Sequence, residues 1–334
     1  MKRFLSIVVL LCGCSVLAFA QHEVSLRAAL PQQSFGRVIP PGNYSGLSQV
    51  RPQEYVVVDD KSPTDGFHQL RIVQDARTGA IDTVFYEGFV SNGGANRDGE
   101  GIVYHPSTHT VFISGEGDSR IAEYDIKGMP TGRTIQLPPE FLTHTGNYGL
   151  ESLGYNEHTR LFWTTTESTL PMDGAQATST NGVRNVLRLQ SFDEDLKPAR
   201  QYLYQMDAPV STSSASLFAM GVSDILALDD GRLIILEREF FVPKAKLGSY
   251  VNCKLYVVDP QQCSVPSVSQ YIPKRLLYEF RTKLTLFSHD IANYEGMSLG
   301  ATLQDGSQSV ILVSDSQNHY AGILKDYFKV LILR

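Results

Sequence analysis

Several patterns are scarce in this sequence of 334 residues, and each scarcity excludes a class of protein. Lysine and arginine number 29 against 35 acidic residues and are scattered, so the chain lacks the basic patch that nucleic-acid binding requires. No cysteine–histidine cluster has the spacing of a structural zinc site. Few windows keep a helical apolar stripe for more than two turns. We therefore predict a monomeric, strand-rich protein with no nucleic-acid partner.

The one long apolar run stands at the N-terminus. A short basic region, Met1 to Arg3, precedes an apolar stretch from Phe4 to Leu17, and Ala18 to Ala20 form a small-x-small site. This pattern predicts a signal peptide over residues 1–20 with Gln21 as the mature start, and hence a periplasmic or secreted protein. The alternative is a lipoprotein that is acylated at Cys14. No segment of the mature chain has the length and apolar character of a transmembrane span.

Only four cysteines are present, and Cys12 and Cys14 lie in the predicted signal peptide. The other two, Cys253 and Cys263, flank the segment KLYVVDPQQ, which has the pattern of a strand followed by a turn. An oxidising compartment permits a disulfide between them, which would stabilise the fold by about 2–3 kcal/mol. The sequence leaves open whether this bond forms.

Short apolar and β-branched segments fill the mature chain in groups of four, separated by turns rich in glycine, proline, aspartate and asparagine. The first group, for example, reads SGLSQV, EYVVVDD, QLRIVQDA and IDTVFYEGF. The last group has only three segments, whereas EVSLRAAL at 23–30 precedes the first group without a partner. Pairing this strand with YFKVLIL would close a ring. We therefore predict one all-β domain over residues 21–334, a β-propeller of five four-stranded blades closed by an N-terminal strand. Splitting the third or fourth group would give six blades, and a pair of β-sandwiches is the other arrangement.

A glutamate recurs beside a small residue where the first strand of a group begins, in DGEGIVYHP, NYGLESLGY and NYEGMSLG. The first strand of each blade lines the channel of a propeller, so Glu100, Glu151 and Glu295 should lie around the axis. Their glycine or serine neighbours allow backbones to approach closely there. The second strands end in further acids on the same face: Asp59, Asp60, Glu116, Asp118, Glu167, Glu237, Glu239 and Asp315.

Carboxylates crowded in this way repel one another and need compensation. Basic residues near them in sequence, among them Arg238, are one source of compensation. The other is a hard divalent cation, and we predict Ca²⁺, which takes 6–8 oxygen ligands and is abundant outside the cytoplasm. The predicted calcium ligands are Glu100, Glu151, Glu295, Asp315 and Asn318.

The runs DGEGIVYHPSTHTVFISGE, YGLESLGYN, GVSDILALDDGRLIILERE, NYEGMSLGATL and VILVSDSQNH resemble the phytase-like family of secreted bacterial proteins, also described by an esterase-like activity of phytase. The resemblance extends from about Gly42 to the end of the chain. This resemblance implies a β-propeller. The family is itself similar to the broader group of calcium-centred propeller hydrolases. The Arg-His-Gly motif of histidine acid phosphatases is absent, and only Asp59 to Pro63 weakly match the alkaline propeller phytases. We therefore do not infer phytate hydrolysis.

The predicted function is metal-dependent hydrolysis of an ester or phosphoester. His319 is the first choice as general base, because Asp315 and Asn318 stand beside it in sequence, and His289 is the second. Arg238 and Lys61 would bind an anionic substrate or pair with the acids. The nucleophile motif G-x-S-x-G is absent. The alternative is a non-catalytic binding or scaffold propeller of the cell envelope with a structural calcium. Such a protein would expose an apolar or aromatic patch, for example REFFVP at 238–243 or NHYAG at 318–322.

Overall fold

Short alternating strands and tight turns give five four-stranded antiparallel sheets arranged around one axis. The structure is a computed structural model and describes residues 23–334 except 145, 147, 264–269 and 288. The signal peptide predicted over residues 1–20 lies outside the described residues. Within the described chain, no helix has the length and apolar character needed to cross a membrane.

The strands follow the chain blade by blade. Blade one contains β3 (Tyr44–Arg51), β4 (Glu54–Asp59), β5 (Gly66–Gln74) and β6 (Ile81–Ser91). Blade two contains β7 (Gly99–His105), β8 (Thr110–Gly115), β9 (Arg120–Asp125) and β10 (Pro130–Ile135). Blade three contains β11 (Gly154–Asn156), β12 (Leu161–Thr164), β13 (Val186–Phe192) and β14 (Pro198–Gln205). Blade four contains β15 (Leu217–Ala227), β16 (Leu233–Val242), β17 (Tyr250–Val258) and β18 (Lys274–Lys283). Blade five contains β19 (Asn293–Thr302), β20 (Gln308–Asp315), β21 (Tyr327–Leu333) and β1 (Leu26–Ala29), with β2 (Gln33–Ser34) also on β21. Short 3₁₀ helices span Pro139–Thr143, Pro260–Gln262 and Tyr320–Gly322.

The two ends of the chain close the ring. Strand β1 pairs antiparallel with β21, so that Leu26 lies opposite Leu333, and β2 continues along the same strand with Gln33 opposite Phe328. The predicted five-bladed propeller with an N-terminal closing strand is confirmed. This closure leaves blade five with strands from both ends of the chain, which couples the two termini in folding.

The apolar core lies between the blades. Each blade is covered on both faces by its neighbours, so a middle strand such as β20 is almost entirely buried and reads as a continuous apolar run. The described residues form five buried clusters, one at each blade interface; the cluster between blades five and one, for example, joins Val57 to Ile311 and Val313. The short recurrent strands are thus stabilised by tertiary burial rather than by their own pairing alone.

Glycine lets the inner strands β3, β7, β11, β15 and β19 pack closely around the axis. A Cβ atom at Gly46 would lie 2.5 Å from the carbonyl oxygen of Glu100, and one at Gly101 would lie 2.6 Å from the backbone nitrogen of Leu153. No side chain fits between the backbones at these points. The glycine beside Glu100 in the recurring motif is therefore required by the packing of one inner strand on the next, as the sequence predicts.

We expect Gly46→Ala to lower the free energy of unfolding by about 1–3 kcal/mol, because the new methyl group forces two inner strands apart. Denaturant unfolding monitored by circular dichroism measures this change. Gly36→Ala is the matched control, since a Cβ there meets its nearest neighbour at 3.6 Å, which is an ordinary contact. Equal stability of the two variants would contradict the prediction.

Cys253 and Cys263 are not bonded to each other. Cys253 is buried in the middle of β17, and Cys263 follows the second 3₁₀ helix and is partly exposed. Burial raises the pKa of the Cys253 thiol to about 12. Cys253 therefore serves as an apolar core residue of blade four rather than as a reactive thiol.

Candidate functional site

Acidic side chains from all blades except the fourth converge at the end of the channel where the inner strands begin. Glu100 and Glu295 stand at the starts of β7 and β19, and Glu151 lies just before β11. The charges of Asp60, Glu295, Glu116 and Asp98 all act on the buried Glu100 carboxyl. We call the following set the axial acid cluster: Asp60, Asp98, Glu100, Glu116, Glu151, Glu167, Glu295 and Asp315.

Three of these carboxylates are close enough to hold one metal ion. Oxygen atoms of Asp60, Asp98 and Glu100 all lie within 4.8 Å of one another. The side chains form a gradient of depth from Asp98 (28% exposed) through Asp60 (17%) to Glu100 (7%). An ion entering from solvent would therefore meet two accessible oxygen donors before the buried one, and all three are the hard ligands that Ca²⁺ prefers.

Lys61 stands at the outer edge of this group. Its Nζ lies 2.7 Å from Asp60 and 2.5 Å from Asp98, while 57% of its side chain remains exposed. Burial lowers the pKa of Lys61, but the hydrogen bonds from its ammonium group to these two carboxylates outweigh that effect and raise the pKa above its usual range. Lys61 is thus a fixed positive charge at the channel mouth.

Arg238 is the buried cation of the cluster. Its Nη1 donates to Glu295 and, at 3.1 Å, to Asn293 Oδ1, and its Nη2 donates to Glu167 and lies 4.0 Å from Glu151. Burial disfavours the guanidinium, yet these carboxylates more than offset the penalty and raise the pKa of Arg238. The side chain therefore ties blade four to blades three and five through charge-assisted bonds.

Negative charge exceeds positive charge in the cluster. Eight carboxyl groups face only Arg238 and Lys61 among the described residues. Burial, followed by repulsion from neighbouring carboxylates, raises the pKa of Glu100 well above its ordinary value, and burial likewise raises that of Glu151. In the described chain the Glu100 carboxylate accepts no hydrogen bond and forms no ion pair. The site must therefore hold protons or bind a cation.

Blade four departs from the sequence expectation. Residues that alternate along β16 point to opposite faces, so Arg238 lies at the axis while Glu237 and Glu239 lie outside it. Glu237 accepts from Tyr204 and Lys274, and Glu239 accepts from the backbone of the loop at 210–211. The prediction that these two glutamates join the axial acids is wrong, because the period of two along the strand selects the residue between them.

The other predicted site residues lie at the end of blade five and in the connection before it. Asp315 is buried in the cluster, where Asn293 Nδ2 lies 3.4 Å from it and burial raises its pKa to about 7. Asn318 is exposed in the turn beyond β20, and its backbone N–H donates to Gly42. His319 is bonded through Nε2 to Asp326 at 2.6 Å rather than to Asp315. His289 is exposed, and its backbone forms an isolated antiparallel β-bridge with Leu284. Their catalytic and ligand roles stay predictions.

The sequence reasoning missed Asp98 and Asn293. Asp98 precedes Glu100 by two residues but lies before β7 with a backbone φ of 57°, so the strand period of two gives no signal for it and only the folded backbone places the two carboxylates together. Asn293 precedes Glu295 by the same spacing, and its amide bridges Arg238 to Glu295. In blade five the pair stands at i and i+2 at the start of an inner strand, whereas in blade two Asp98 lies just before the strand.

A comparison of this sequence with models of known protein families identifies its family. The family model described as "Phytase-like: Esterase-like activity of phytase" matches residues 39–317, which include every member of the axial acid cluster. The chain belongs to the phytase-like family. The matched region begins before β3 of this phytase-like propeller and ends in the turn beyond β20, so it leaves out the closing strands β1 and β21.

The solved structures that match this chain are distant in sequence and have low TM-scores. A streptogramin B lyase is 11% identical and has a TM-score of 0.39, covering 92% of this chain and 98% of its own. A chain of a nidogen/laminin complex is 10% identical with a TM-score of 0.42, covering 85% and 82%. A protein of unknown function from Bacteroides thetaiotaomicron is 10% identical with a TM-score of 0.40, covering 93% and 76%. A comparison of this phytase-like chain with curated proteins finds no match.

Proposed function

We propose that this phytase-like propeller is a calcium-dependent hydrolase of an ester or phosphoester, and that its reaction takes place at the channel mouth. The observation that supports the proposal is the convergence of Asp60, Asp98 and Glu100 beside the exposed ammonium group of Lys61. An oxygen-only donor set with one buried, unpaired carboxylate fits Ca²⁺ better than it fits a softer metal. We also propose that residues 1–20 direct export, which N-terminal sequencing of the mature protein would test at Gln21.

Each group at the mouth has a role that follows from its position. Asp60, Asp98 and Glu100 would hold the calcium, which when bound polarises a substrate oxygen. Lys61 would orient an anionic substrate group, because its ammonium is exposed and fixed by two carboxylates. Arg238 would fix the positions of the Glu167 and Glu295 carboxylates through its hydrogen bonds to both. Asp315, buried in the cluster with its pKa raised to about 7, would accept a proton near neutral pH.

We expect Asp98→Asn to reduce calcium-dependent hydrolysis at least about tenfold, since it removes the most accessible carboxylate of the three. p-Nitrophenyl acetate and p-nitrophenyl phosphate, each with calcium and with chelator, measure the two activities. Lys61→Met should impair the phosphoester more than the neutral ester. Asp82→Asn is the matched control, because Asp82 is an exposed residue of β6.

Three outcomes would change the assignment. Activity that is the same in calcium and in chelator would overturn calcium dependence. Loss of activity in His319→Gln with full activity in Asp315→Asn would return the base to His319, the first choice from the sequence. Absence of both activities, with a calcium response still present, would favour the binding propeller.

One observation favours that second function. Phe287 is 98% exposed at the connection between blades four and five, and Leu286 beside it is also exposed. Of the segments in which the sequence reasoning placed an exposed patch, Phe240 and Phe241 are buried, whereas Tyr320 is exposed. A binding propeller would use such an apolar tip for a partner. Phe287→Ser would then abolish partner binding without changing hydrolysis.

A further inference from the structure

A cavity of about 590 Å³ lies between the segment around β2 and the loop that follows β20. Residues of both segments line it: Ser34, Phe35, Gly36, Arg37, Val38, His319, Gly322, Leu324 and Lys325. None of them belongs to the axial acid cluster. Its volume is in the range of pockets that bind small organic molecules. The cavity therefore shares no lining residue with the proposed calcium centre.

The ionisable side chains of this cavity are all basic. Arg37, Lys325 and His319 contribute to the lining, and no acidic residue does. Neither Arg37 nor Lys325 forms an ion pair within the described residues, and both are exposed. In a protein with a net charge of −6, a cavity with basic side chains and no acid in its lining offers a local attraction for anions.

His319 is held in place from behind. Its Nε2 lies 2.6 Å from Oδ2 of Asp326, a carboxylate with no exposed surface, while 35% of the histidine side chain remains exposed. In the described chain its Nδ1 forms no hydrogen bond, so that nitrogen is available to a ligand. The bond to this buried carboxylate fixes the orientation of the imidazole ring.

The remaining walls are apolar. Phe35, Val38 and Leu324 line the cavity, and Phe35 packs edge-on against Phe328 with ring centroids 5.7 Å apart. An inorganic anion could pair with the basic groups, but it would leave the apolar walls of the cavity exposed to water. The cavity thus matches a molecule that has both an anionic group and an apolar body.

We propose that this cavity is a second ligand site, which binds a small organic anion such as an aryl or alkyl phosphate through Arg37, Lys325 and His319. Isothermal titration calorimetry of the mature protein in chelator, with phenyl phosphate as the probe, tests the proposal. Inorganic phosphate and phenol serve as the separate halves of the probe. We expect phenyl phosphate to bind more tightly than either half.

Two variants test the site by different means. Combined Arg37→Ala and Lys325→Ala substitutions should weaken phenyl phosphate binding about tenfold or more, because they remove two charge-assisted contacts. Gly36→Leu should abolish binding without removing any charge. The backbone at Gly36 tolerates a side chain, and its Cβ would lie 3.6 Å from His319 Cε1 and 3.7 Å from Ser34 Oγ, so that a leucine would extend into the cavity.

The controls separate this site from the axial one. Lys246→Ala, an exposed lysine in the loop between β16 and β17, should leave binding unchanged, and melting curves would show that every variant is folded. Absence of phenyl phosphate binding would overturn the proposal. So would binding that persists in Gly36→Leu. Binding that requires calcium and is lost in Asp98→Asn would place the ligand at the channel mouth instead, which also overturns a second site.

Discussion

Replacing Arg238 by methionine is expected to lower the free energy of unfolding by about 3–5 kcal/mol, which corresponds to a fall in Tm of roughly 10 °C. The reason is that Glu167 and Glu295 are buried at the axis and Arg238 is the cation that bonds to both. Without it, two carboxylates remain in a low-dielectric site beside other acids, and they must take up protons or separate. Thermal melts and denaturant titration measure the loss.

Neutralising the partner carboxylates tests whether the loss of stability comes from charge. If the cost arises from uncompensated carboxylates, adding Glu167→Gln and Glu295→Gln to Arg238→Met should restore part of the lost stability. Arg51→Met is the matched control, since Arg51 is exposed and its ion pair with Glu54 is worth little. A triple variant that is less stable than Arg238→Met alone would show that the guanidinium acts through packing and not through charge.

Glu100→Gln is expected to change stability in opposite directions with and without calcium. In chelator the variant should melt above the parent protein, because a neutral amide relieves the repulsion that acts on the buried Glu100 carboxyl. In calcium the order should reverse, since the parent gains about 4 kcal/mol at a thousandfold excess of calcium over Kd and the variant loses a ligand. Differential scanning calorimetry with calcium add-back measures both values.

Glu87→Gln provides the control, because Glu87 is an exposed residue of β6 that pairs with Arg71. It should shift neither the melt in chelator nor the response to calcium. Parallel melting curves of Glu100→Gln and the parent under both conditions would contradict the metal site and leave the recurring glutamates as polar channel lining.

The same carboxyl groups determine how stability depends on pH. Burial raises the pKa of Glu100 and Glu151 in the folded state, so between their unfolded and folded pKa values the native protein binds more protons than the unfolded chain. Stability in chelator should therefore fall as the pH rises from about 4.5 through the folded pKa values. Calcium needs the ionised carboxylates, so the stabilisation that it provides should instead grow with pH.

Much of the architecture follows from the sequence. The period of two, the recurring groups of four strands and the unpaired EVSLRAAL segment are local patterns, and they predict a five-bladed propeller closed by β1 on β21. The glycines at the starts of inner strands also follow, because close packing of these strands requires a residue without a side chain at Gly46 and Gly101. The strand period and the glycines can be read in each segment, although the contacts that require the glycines form between neighbouring blades.

Which side chains meet at the axis was decided by the tertiary structure. Asp60 follows β4 of blade one and meets Asp98 and Glu100 of blade two only when these two blades pack together. The face of β16 that turns inward selects Arg238 over Glu237 and Glu239. His319 stands four residues beyond Asp315 in sequence, yet its partner is Asp326, because the loop after β20 folds back on β21. Strand pattern is local and can be recognised in sequence. Charge pairing at the centre depends on the relative positions of five blades, which no single segment specifies.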